Sequence, residues 1–239
     1  MTRYTVLVTS AINTKFGVYT SEQRLQQTLD TIYSIKQRIP SCKIYLLEMT
    51  GAPLLAEQQQ RLSSEVTSIL DFTNDPDVVG LYNSTNNWDI VKNVTEVMCF
   101  NKALKTLRDS NQLQDSDRVF KVSGRYTLND HFNISFYEDY KNKTLMVIGA
   151  KKESQFPYAV TMCKAQFMSR LWSWPTALTA DVITAYDQIL NYMYERLAAG
   201  GYADIEHCLY KFLDHSKLVE ISVLGLEGSI APNGTLVKD

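Results

Sequence analysis

Cysteine, histidine and tryptophan are scarce in this chain of 239 residues, with four, three and three copies. Cys42, Cys99, Cys163 and Cys208 are scattered and form no C-x-x-C pair, which points to thiols in a reducing compartment and gives no zinc framework. His131, His207 and His215 lack the spacing that ligating histidines need. No apolar run approaches the about eighteen residues of a membrane-spanning helix. The opening "MTRYTVLVTSAINT" lacks the charged region, apolar core and cleavage site of a signal peptide, so the expected location is the cytoplasm. In that compartment the N-x-S/T triplets at Asn83, Asn93, Asn133, Asn142 and Asn233 read as coincidental. Charge of one sign is missing too. Lys+Arg of 24 against Asp+Glu of 26 leave a net -2, which makes no global case for nucleic acid or an anionic membrane surface.

What is present is a folding composition: 45% hydrophobic and 11% aromatic residues. The length suits one α/β domain spanning 1–239. Elements alternate, as in a layered α/β fold. "YTVLVTSA" predicts a first strand, and Thr20 with Gln23 forms a capping box ahead of "SEQRLQQTLDTIYSIKQRI". Leu25, Leu29 and Ile32 follow helical spacing and Pro40 closes the segment. "KIYLLEM" and "TSILDF" predict further strands around a polar helix over 54–64. Thr73 to Asp89, rich in Asn, Asp and Gly, predicts a long functional loop. Ile90 to Arg108 regains helical spacing, and "RVFKVSGRY" and "TLMVIGA" predict strands. Helices are expected in "DVITAYDQILNYMYERLAAGG", stopped by its glycines, and in "DIEHCLYKFLD", with "LVEISVLG" as the final strand. The first βα turn has neither G-x-G-x-x-G nor a P-loop, against a dinucleotide oxidoreductase or a P-loop kinase.

In an open α/β sheet ligands bind beyond the carboxyl ends of the strands. Asp115 and Asp117 form a D-x-D, the pattern that could hold a divalent metal, but they precede "RVFKV". At about 3.3 Å per residue they lie about 20 Å from the ligand edge, and a solvated turn explains them. Lys121, Ser123, Gly124 and Arg125 stand toward that edge. Lys and Arg there could stabilise a diphosphate, or could pair with nearby carboxylates as surface residues. Arg24 sits near the amino end of the first helix, where N–H groups and the helix dipole favour anions. Glu206 and His207 are the acid–base candidates, with Asp204 as N-cap. Glu206 could equally complement a helix dipole, and His207 fits a buried, satisfied histidine better than a catalytic one. Trp172 and Trp174 fit core packing better than sugar stacking, as do Tyr186, Tyr192 and Tyr194.

The stretches "VTSAINTKFGVYTSEQRLQQTLDTIYSI", "FNKAL" and "FKVSGRYTLNDHF", with "IEHCLY" and "GLEGSIAPNG", resemble bacterial and viral glycosyltransferase-like proteins of the GT-A type. The K-x-S-G-R-Y run is the sharpest element. The resemblance implies a Rossmann-like, mixed but mostly parallel sheet flanked by helices. It implies a nucleotide-sugar co-substrate, a glycan or lipid-linked acceptor, and a role such as polysaccharide biosynthesis, with inverting transfer preferred. Carried onto this sequence, it sets Thr9, Ser10 and Ala11 in the nucleoside pocket, Glu48 against base or ribose, and Asn101 and Lys102 near the phosphates. No D-x-D follows the strand ending in "SGRY", so manganese or magnesium has no evident carboxylates there, and Lys121 with Arg125 is the expected substitute. The alternative is an inactive module of the same type that binds nucleotides or glycans.

Overall fold

The computed structural model describes residues 3–140, 143–230 and 234–239. The triplets at Asn142 and Asn233 therefore fall on or beside residues outside the description. The chain runs β1 (Tyr4–Ser10), α1 (Ser21–Arg38), β2 (Lys43–Glu48), α2 (Ala56–Ser63), β3 (Ser68–Asp71), α3 (Pro76–Ser84) and α4 (Trp88–Asp109). It continues β4 (Arg118–Ser123), β5 (Tyr126–Leu128), α5 (Ile134–Asp139), β6 (Met146–Gly149), β7 (Lys152–Glu153), α6 (Tyr158–Thr161), β8 (Ala165–Gln166) and β9 (Leu171–Pro175). It closes with α7 (Thr179–Ala198), α8 (Ile205–Phe212), β10 (Leu218–Ile221), β11 (Leu226–Ser229) and β12 (Leu236–Lys238).

Seven strands make one mixed sheet in the order β10-β6-β9-β4-β1-β2-β3. β1 pairs in parallel with both β2 and β4, while β9 runs antiparallel between β4 and β6. β1, β2 and β3 step toward one edge, and the chain then crosses back to lay β4 on the other side of β1. The β1–β4 boundary is therefore the switch point, where helices leave to opposite faces and open a crevice. The alternation along β1 builds both faces. Leu7 packs with Val94, Val97 and Phe100 of α4, whereas Val6 and Val8 pack with Leu25 and Ile32 of α1. β11 pairs with β5 and β12 in a separate three-stranded sheet, and β7–β8 form a two-stranded one.

Local signals explain several boundaries. Thr20 Oγ1 accepts from Gln23 N while Gln23 Oε1 accepts from Thr20 N, a capping box that contributes about 1 kcal/mol. Two expectations are corrected. The stretch 73–89 is not a long loop: Asp75 accepts from Asp77 N and Val78 N and Pro76 starts α3, while Asn87 caps α4. Its polar residues are caps rather than loop filler. "LVEISVLG" gives β10, an edge strand rather than the last one, since β11 and β12 follow. No helix among the described residues is long and apolar enough to cross a membrane.

Candidate functional site

A cavity of about 170 Å³ opens over the carboxyl ends of β1 and β4. The end of β1 contributes Thr9, Ser10 and Ala11, and the following segment Thr14, Phe16 and Gly17. Ser123 and Arg125 come from the end of β4, and Arg24 from α1. The amino-terminal half of α4 adds Trp88, Lys92, Thr95 and Glu96, with Tyr82 of α3 and Met49 closing the wall. Phe16 and Tyr82 lie 6.0 Å apart between ring centroids, and Trp88 is 42% exposed, so one side of the cavity is aromatic and accessible.

Three cations that form no ion pair among the described residues face this cavity. Arg24 is buried, yet among the described residues its guanidinium donates only to the carbonyls of Phe16 at 2.9 Å and Ala11 at 3.5 Å, and Nε has no partner. Burial and the neighbouring Arg125 lower its pKa, a cost that a bound anion would relieve. Arg125 makes no side-chain hydrogen bond among the described residues; its guanidinium lies 5.9 Å from the Tyr126 ring, and Nε is unpartnered. Lys92 likewise forms no ion pair there. Gly124 allows β4 to approach β1: its N–H donates to Thr9 O at 2.8 Å, and a Cβ would sit 2.9 Å from that oxygen.

Thr9, Ser10, Ala11, Arg24, Ser123 and Arg125 thus line one crevice, with Gly124 between the last two. Lys121 does not reach it. Its ammonium, fully buried, lies 2.7 Å from Glu96 Oε1 and donates to Ser123 Oγ and Ser169 O, both at 2.7 Å, so its three protons are all accepted inside the core. Glu48 is also enclosed. It accepts from Ser10 Oγ at 2.7 Å and Ile12 N at 3.0 Å, which fixes the turn after β1 rather than presenting a carboxylate to a ligand. Burial raises its pKa to about 6 against those hydrogen bonds.

Asn101 and Lys102 lie further along α4, away from the cavity. Asn101 donates to Asp187 at 2.6 Å, and Lys102 is held by Asp75 at 2.7 Å and Asp77 at 2.8 Å. At the opposite end of β4, Asp117 accepts from Arg3 N at 2.7 Å, and Asp115 pairs loosely with Arg3 and Lys43. Glu206 is half-buried and does not line the cavity; its carboxylate accepts from Ser169 Oγ at 2.6 Å. Burial raises its pKa, helped by Asp204 and Glu96 and opposed by Lys92 and Ser169. His207 is fully buried between Asp204, 2.6 Å from Nδ1, and Ser154, 2.8 Å from Nε2. Ser154 Oγ also closes a turn with the N and O of Phe156, so the trio ties α8 to the segment after β7. Trp172 and Trp174 are buried on β9, as is Tyr186 on α7.

Among the wall residues that the sequence did not single out are Phe16, Tyr82, Trp88, Lys92 and Glu96. Trp88 directly follows its capping Asn87, and a helix-opening tryptophan is a legible flag. Glu96 stands alone among Val94, Thr95, Val97 and Met98 in a buried stretch of helix, which was the available signal.

No protein-family model matches the chain, and no curated protein matches it.

Proposed function

We propose that the chain is a glycosyltransferase of the GT-A type that seats a nucleotide-sugar donor in the β1–β4 crevice and passes the sugar to a glycan or lipid-linked acceptor. One observation carries the reading: Arg24, Lys92 and Arg125, none of them in an ion pair among the described residues, converge on a cavity whose other side is Phe16, Tyr82 and Trp88. Fixed positive charge suits a diphosphate, and aromatic faces suit a base. The place, a switch point at the carboxyl ends of parallel strands, is where open α/β sheets take nucleotides. The donor set does not fit a divalent cation. Glu96 is the one carboxylate on the wall among the described residues, its Oε1 is held by Lys121, and Lys92 and Arg125 also act on its charge. Under this reading Arg24, Lys92 and Arg125 counter the diphosphate charge.

A second reading, a nucleotide- or glycan-binding module without turnover, is favoured by the absence of Glu206, the acid–base candidate, from the residues described as lining the cavity. Incubation with UDP-glucose, UDP-galactose and GDP-mannose separates the two. Release of free nucleotide that Arg125→Ala abolishes supports the transferase; tight binding with no release over many hours supports the module.

A further inference from the structure

Glu96 is a carboxylate in an otherwise cationic pocket, and only one of its oxygens is engaged. Oε1 receives the Lys121 ammonium at 2.7 Å and the Thr9 hydroxyl at 3.5 Å. Oε2 accepts no hydrogen bond among the described residues, and the side chain, 11% exposed, lies on the cavity wall. A phosphate carries acceptors, so it cannot satisfy a carboxylate oxygen and is repelled by it. A ligand that fills the pocket must therefore bring a hydrogen-bond donor to Glu96 as well as an anion to the cations. Lys92 precedes Glu96 by one helical turn, about 6 Å along α4 at about 1.5 Å per residue. The two demands are side by side, at the spacing of neighbouring groups within one small molecule.

We propose that Glu96 is the specificity residue for the sugar, accepting a hydroxyl of the neutral polyhydroxylated portion that follows the phosphates. This assignment rests on the nucleotide-sugar reading above. Lys121 is the positioning residue. Its three contacts hold the ammonium on Oε1, which leaves Oε2 as the carboxylate oxygen without a donor among the described residues. Burial opposes ionisation of Glu96, but Lys121, Lys92 and Arg125 outweigh it and hold the carboxyl below its ordinary pKa. An ionised acceptor bonds a hydroxyl about twice as strongly as a neutral one.

The test compares sugar-bearing and sugar-free ligands on the whole chain. Glu96→Gln alone strands the buried Lys121, so the working variant is Glu96→Gln with Lys121→Met, which removes both charges together. The dissociation constants of UDP, GDP and CMP are measured calorimetrically beside those of UDP-glucose, UDP-galactose and GDP-mannose. The double variant is expected to weaken at least one nucleotide sugar about tenfold more than it weakens the matching free nucleotide. Equal losses for sugar and free nucleotide, with the thermal transition intact, assign Glu96 to the scaffold and overturn the proposal while leaving the nucleotide site standing. A wild-type chain that binds none of the six ligands overturns the site reading itself, and this assignment with it.

Discussion

The Lys121 ammonium lies 2.7 Å from Glu96 Oε1, pinning the middle of β4 to α4 beneath the cavity. Two oppositely charged groups leave water here, and the pair is tolerable because each finds its counterpart and Lys121 has two further acceptors.

Breaking one half of the pair should be far worse than removing both. Lys121→Met is expected to lose about 3–5 kcal/mol of unfolding free energy, because the buried Glu96 would lose the ammonium held on its Oε1. The double change with Glu96→Gln should restore most of it. Urea titrations of the three proteins check this, and additive losses would contradict the coupling.

Glu48 makes stability depend on pH in the direction opposite to a surface acid. Its folded pKa is raised from 4.5 to about 6, so between those values the folded chain binds more protons than the unfolded one. Stability from this group is full below about pH 4.5 and falls as pH rises to about 6, by on the order of 2 kcal/mol. Relative to wild type, Glu48→Gln should gain that amount between pH 4 and pH 7. A wild-type-to-variant difference that stays flat across this window would mean that Glu48 titrates alike in the folded and unfolded chain.

Gly124→Ala should weaken both fold and site. The added methyl would sit 2.9 Å from Thr9 O, a backbone atom that cannot swing aside, so β4 must shift against β1 and carry Arg125 with it. A loss of about 1–3 kcal/mol is expected, with weaker nucleotide binding. Unchanged melting and affinity would show the strand pair to be more compliant than this contact implies.

Trp88 should matter to binding and little to folding, because it is 42% exposed at the first residue of α4. Trp88→Ala is expected to reduce nucleotide affinity about tenfold or more, the scale of base stacking on an aromatic ring. Equal affinity for wild type and variant would move the base elsewhere in the cavity.

Much of the frame was readable in the sequence because it rests on local signals. Thr20 and Gln23 mark the start of α1, and the alternation of Val6, Leu7 and Val8 marks a strand covered on both faces. The misread places depend on partners distant in the chain. A lysine within a strand reads as a surface or ligand charge until Glu96, 25 positions earlier, is found beneath it. Asp75 and Asn87 have loop-like composition, yet each closes a helix start. Glu48 ends its strand at the ligand edge as expected, but whether its carboxylate turns outward or onto Ser10 and Ile12 is a tertiary matter. Strand β9 was missed because its two buried tryptophans alternate with a serine and lead into Pro175 and a helix.

The most direct test of the account is calorimetric titration with UDP, GDP and CMP, in manganese and in EDTA, for wild type and Arg125→Ala. Fixed positive charge predicts that one nucleotide binds equally well in EDTA and that Arg125→Ala weakens it by about tenfold or more. Binding that requires manganese, or that ignores Arg125, would contradict it.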